Sequence, residues 1–166
     1  MPLNATSLQS GFASVFRAQY STAAEVARRI AEEYDKYCSM GMAPPGKPVF
    51  RGVEKNAIQS ALAACWGSVG SDPAMVAAVF AQSVQVYWLA PPVMFVGGPA
   101  MGVATSMAGA AALPAQIAAI LSNLGNNEDL AALSLATVLD VATRTVLVVY
   151  STPVPPAGPP PPALLI

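Results

Sequence analysis

The sequence predicts an all-α protein made of three copies of one helical hairpin, about six helices in all. Pro/Gly-rich linkers join the hairpins, and an extended Pro-rich arm follows them. Three observations predict this: an apolar pattern that recurs along the chain, helix caps at the same point of each recurrence, and Pro/Gly clusters between them.

The recurrence appears when Leu8–Cys38 is laid over Ile58–Trp88. Leu8 then meets Ile58, Phe12 meets Leu62, Phe16 meets Trp66, Ile30 meets Phe80 and Tyr37 meets Tyr87. A further shift brings Ile117, Leu121, Leu135 and Leu139 onto Leu62, Trp66, Phe80 and Val84. Within the first copy, Leu8, Phe12, Val15 and Phe16 share one helical face, as do Val26, Ile30, Tyr34 and Tyr37. The hairpins are expected over about 6–40, 53–90 and 112–150, in one domain spanning 1–150.

The caps follow the same register. Thr22 with Glu25 reads as a capping box, Asp72-Pro73 as an N-cap followed by proline at the first helical position, and Asn127 with Glu128 and Asp129 as a cap that complements the helix dipole. Turns are expected near Gln19–Ser21, Gly67–Ser71 and Leu124–Asn126.

Ala43-Pro44-Pro45-Gly46, Ala90-Pro91-Pro92 and Pro153-Val154-Pro155-Pro156 close the three copies, because proline cannot continue a helix. Val93–Val96 reads as a short extended piece before Gly97-Gly98-Pro99. Val146–Val149 is β-branched enough for a strand in place of a helix end. The arm, 151–166, holds seven prolines and ends in Leu164-Leu165-Ile166. It has two readings: a disordered tail, or an arm that lies along a neighbouring subunit and buries those three aliphatics.

Composition narrows the function. Charged residues make up 10% of the 166, against about 25% in an ordinary soluble domain. Twelve of the seventeen charges lie before Asn56, and none falls between Asp72 and Glu128. The N-terminal third is built to meet water, and the middle is built to be covered. Net charge is −1, so no basic stripe exists to follow a phosphate backbone, and direct nucleic-acid binding is not expected. Cys38 and Cys65 lack CxxC spacing and fit packing roles in a reducing compartment. Met1-Pro2-Leu3-Asn4 does not read as a signal peptide.

There is no histidine, which removes Ser-His and Cys-His nucleophiles and the usual general base. Glu32, Glu33 and Asp35 stand among Arg28, Arg29 and Lys36 at helical spacing, which suits a solvated face with Arg28–Glu32 and Glu32–Lys36 pairs. Gly46-Lys47-Pro48 and Gly97-Gly98-Pro99 lack phosphate-loop context and are turn signals. No catalytic, cofactor-binding or metal-ligating set emerges, and no cofactor or small-molecule substrate is expected.

The residues singled out are a subunit interface. Trp66, Tyr87, Trp88 and Phe95 are apolar anchors. Asp140 and Arg144 are either a local pair or a register-fixing bridge between subunits. Leu164, Leu165 and Ile166 are the end of the arm.

The hairpin of Leu8–Cys38, its echo at Ile58–Trp88 and the Ala-Pro-Pro joints resemble, in overall style, the small Ala-rich structural proteins found around the tail, neck or baseplate of tailed bacteriophages. The resemblance implies a structural subunit of a large symmetric assembly, joined to copies of itself and to other structural proteins, in a virion assembled in the host cytoplasm. One alternative is a membrane-active pore or lysis factor using the uncharged 86–124 region, although its prolines and glutamines argue against a spanning helix. Another is a secreted helical-hairpin partner of a different chain.

Overall fold

The computed structural model describes residues 3–43, 46–68, 72–97, 100–123, 127–151 and 163–166. Most of these are helical: α1 (Ala5–Arg17), α2 (Ala23–Cys38), α3 (Val53–Gly67), α4 (Pro73–Leu89), α5 (Leu113–Leu121) and α6 (Glu128–Thr143). Each begins where the local chemistry allows. Asn4 accepts hydrogen bonds from the Thr6 and Ser7 amides, Thr22 from Glu25, Asp72 from Ala74, and Asn127 from Asp129 and Leu130. These bonds satisfy amides that have no partner inside the helix, and losing such a cap costs about 1 kcal/mol. Gly52 heads α3 with φ +84°, a left-handed conformation that only glycine adopts freely.

The all-α class needs correction. The chain also forms five strands: β1 (Lys47–Val49), β2 (Met94–Gly97), β3 (Ala100–Met107), β4 (Val146–Ser151) and β5 (Ala163–Leu164). They make one antiparallel sheet in the order β1-β2-β3-β4-β5. The extended reading of Val93–Val96 and the strand reading of Val146–Val149 fall on β2 and β4. β1 lies where a turn was expected. β3 lies in a small-residue run in which Met101 and Val103 alternate with Gly102 and Ala104. Gly102 belongs there because a Cβ would sit 2.5 Å from Cε1 of Tyr150 across the strand pair.

Each helix packs on the next in sequence, and α6 returns to pack on α1. Inside this circuit lie Leu8 and Phe12 from α1, Ile30 and Tyr34 from α2, Ile58 and Leu62 from α3, with Phe80, Ile117 and Leu135 from the later helices. Each is at most 2% exposed, and burying a side chain of this size contributes roughly 1.5–3 kcal/mol. The sheet joins the same core through one face, which carries Phe95, Ala104, Val148 and Tyr150.

The arm also departs from expectation. Its 152–162 part, with all seven prolines, lies outside the described residues, as do the joints at Pro44-Pro45 and Gly98-Pro99 and the turn at Leu124–Asn126. Its described end pairs within the chain. β5 pairs with β4, the Leu165 amide donates to the Val146 carbonyl, and Met42 and Ile166 exchange both backbone hydrogen bonds. Leu165 is 1% exposed, beside Gly41 and Leu3.

Candidate interaction surface

The outer face of the sheet follows from the register. In antiparallel pairs, residues directly opposite point to the same side. Lys47 faces Val96, Val49 faces Met94, Met94 faces Val103, Val96 faces Met101, Val103 faces Val149 and Leu147 faces Leu164. All of these point away from the core. Val49, Val96, Met101, Val149 and Leu164 are between 41% and 54% exposed, and none of the described elements covers them. One face of the sheet is thus core and the other is an apolar surface. Among the described residues, the charged side chains on it are Lys47 and Arg51, whose Nη2 lies 3.4 Å from the Met94 sulfur.

A second apolar surface runs along α6. Its inner side buries Ala132, Leu135, Ala136 and Leu139. Its outer side leaves Leu130 and Val141 59% exposed and Leu133 43% exposed. Thr137 stands among them, and its hydroxyl donates to the Leu133 carbonyl. Beside this stripe a groove of about 390 Å³ runs between α5 and α6, lined by Ala119, Ile120, Asn123, Asn127, Leu130, Ala131 and Ser134. It holds no titratable side chain.

Beneath these surfaces lies a polar network closed within the chain. Trp88 Nε1 donates to the Tyr34 hydroxyl at 3.0 Å, and that hydroxyl lies 2.8 Å from Thr143 Oγ1. The Tyr87 hydroxyl donates to Asp35, and the Tyr37 hydroxyl donates to Asp140. Arg144 Nε donates to the same Asp140 at 2.9 Å, while its Nη2 donates to the Leu3 carbonyl. Burial pushes the Tyr34, Tyr37, Tyr87 and Cys38 pKa values up, because the interior disfavours the charged forms. These groups are protonated at neutral pH and serve as hydrogen-bonded packing.

Four of the nine residues expected at an interface lie instead inside the chain's own core. Tyr87, Trp88 and Phe95 are 0% exposed and join Phe50 in an aromatic cluster, with Trp88 and Phe95 stacked at 6.3 Å. Leu165 is buried as described. None of these four can touch another subunit, because the chain's own core consumes their surface. Within the chain Asp140 pairs with Arg144 and accepts from the Tyr37 hydroxyl. Trp66 is partly buried at the end of α3. Leu164 and Ile166 remain 54% and 57% exposed. On α2, Arg28 pairs with Glu32 at 2.7 Å as expected, but Lys36 reaches Glu33 in place of Glu32.

The surfaces that matter were missed. Their signals were present: the alternation of Met94 and Val96 and of Met101 and Val103, and leucines on α6 at positions that the core stripe does not need. Among the described residues no three His, Cys, Asp or Glu side chains are grouped to hold a metal, and no helix is long and apolar enough to cross a membrane. No protein-family model, no curated protein sequence and no solved structure matches this chain.

Proposed function

We propose that this chain is a non-enzymatic structural subunit of a large symmetric assembly, a tail, neck or baseplate component of a tailed bacteriophage virion put together in the host cytoplasm. The observation that carries the reading is the pair of exposed apolar surfaces, the outer face of the sheet and the outer face of α6. Large uncovered apolar patches mark sites of association, and charge is depleted in permanent interfaces. One such surface suits a dimer. Two separate ones suit a subunit with neighbours on more than one side.

In the same reading the three hairpins are copies of one unit. Moving α1 and α2 forward by 50 residues lays them on α3 and α4, and moving α4 forward by a further 55 lays it on α6. The caps Thr22, Asp72 and Asn127 fall into line under the same shifts. The membrane-active alternative loses ground, because α4, two strands and the short α5 occupy the 86–124 region it would use.

The test is the solution mass of the full chain by light scattering without detergent, over a wide concentration range. A defined oligomer, or growth of mass with concentration, supports the subunit reading. A monomer at every concentration sinks it, and solubility only in detergent hands the case to a membrane role.

A further inference from the structure

Resting on the subunit reading, we propose that residues 163–166 are exchanged between copies of this chain, so that in the assembly the slot beside β4 holds this segment of a neighbouring copy.

The slot is built for one extended strand. On one side β4 offers its edge. Leu164 pairs opposite Leu147, and the Leu165 amide donates to the Val146 carbonyl at 3.2 Å. On the other side Met42, just past α2, exchanges both backbone hydrogen bonds with Ile166, at 2.9 and 3.0 Å. The floor is apolar. Leu165 is 1% exposed, beside Leu3 and Gly41. A Cβ on Gly41 would stand 3.3 Å from Leu165 Cδ1, so a glycine there leaves the leucine its room. Leu164 and Ile166, to either side, are exposed. The segment is thus held by backbone on both edges and by one buried side chain between two outward ones. That is the chemistry of strand donation, in which main-chain bonds give affinity and a pocket for alternate side chains sets the register. With the segment gone, β4 becomes the edge of the described sheet.

The slot makes the same contacts whichever copy supplies the segment, so the connector decides. Ala163 lies opposite Val148, and β4 runs on to Ser151. The two strand ends are therefore only about 11 Å apart. A return of that kind commonly takes roughly two to five residues. The sequence supplies eleven, 152–162, and seven of them are proline. Proline fixes φ and favours the extended polyproline form, in which eleven residues reach about 34 Å. A sequence with that preference opposes doubling back to its own slot and favours running on to another, where neighbours are held close by. Exchange of an identical element also joins copies at little cost, because it needs no contact that the chain does not already make.

The test is a full-length double variant, Leu147→Cys with Leu164→Cys. The two positions face each other across β4 and β5, and opposed strand residues stand about 5 Å apart at Cα, which suits a disulfide. Cys38 and Cys65 are buried. Circular dichroism checks the fold, and the oxidised protein is run on a denaturing gel without reductant. Exchange should link chain to chain, shifting the protein from the monomer band to covalent dimers and higher multiples. The two single variants, co-expressed, should give a covalent dimer holding one of each, while neither alone should crosslink. A double variant that closes only within single chains, or forms no disulfide, overturns the exchange alone when the wild-type chain is oligomeric by light scattering. Crosslinking as strong in either single variant as in the double does the same. A wild-type chain that is monomeric at every concentration overturns the subunit reading and the exchange with it.

Discussion

Raising the pH should unfold this protein in one step, and the step should begin near the ordinary titration range of tyrosine. Tyr34, Tyr37, Tyr87 and Cys38 all have pKa values raised by burial in the folded state, from ordinary values of 10.0 for the tyrosines and 9.0 for the thiol. Below those ordinary values both states are protonated, and the stability these groups support is fully present. Above them the unfolded chain releases protons that the folded chain retains, and the stability is lost as pH climbs toward the folded values. Each group removes about 1.4 kcal/mol per pH unit once its unfolded form ionises. At about pH 11 the four together withdraw about 7 kcal/mol, comparable to the ~5–15 kcal/mol that holds a typical domain folded. The assay is a pH titration followed by tyrosinate absorbance and far-ultraviolet circular dichroism on the same sample. Tyrosinate from the buried rings should appear together with the loss of helix, in one steep transition. A gradual tyrosinate signal equal to all the tyrosines, with the helical spectrum unchanged, would refute the burial and the network.

Three substitutions probe the interior further. Asp140→Ala strips the acceptor from the Tyr37 hydroxyl and the partner from Arg144, and should cost about 2–3 kcal/mol in urea unfolding; a loss within error would mean the network contributes nothing. Gly102→Ala drives a methyl group to within 2.7 Å of Val148 Cγ1 and closer still to the Tyr150 ring, so a loss of about 1–3 kcal/mol is expected by thermal melting. Tyr150→Phe should behave oppositely, because the Tyr150 hydroxyl is buried with no hydrogen-bond partner among the described residues. Its removal should leave stability unchanged or raise it by up to about 1 kcal/mol, and a clear destabilisation would show that the hydroxyl has a partner in solution.

Local chemistry made the helices legible. Thr22, Asp72 and Asn127 sit at true helix starts because a side-chain oxygen two or three residues before an unpaired amide caps a helix with little help from elsewhere. The apolar spacing of Leu8 and Phe12, and of Ile30 and Tyr34, found the core for a similar reason: a face three or four residues wide is a property of the segment itself. Val146–Val149 announced its strand through β-branching.

The sheet as a whole was decided elsewhere. β1 and β2 are three and four residues long and β3 is built largely of small residues, and β1 gains its backbone partners only from a segment tens of residues away, as Lys47 does from Val96. The same holds for the interface. Tyr87, Trp88 and Phe95 have the composition of anchors between subunits, and nothing in their own neighbourhood says whether the chain or a partner covers them. Tertiary packing gave those rings to the core. It left Met101, Val149 and the outer leucines of α6 uncovered, because a side chain's exposure is set by what folds back over it.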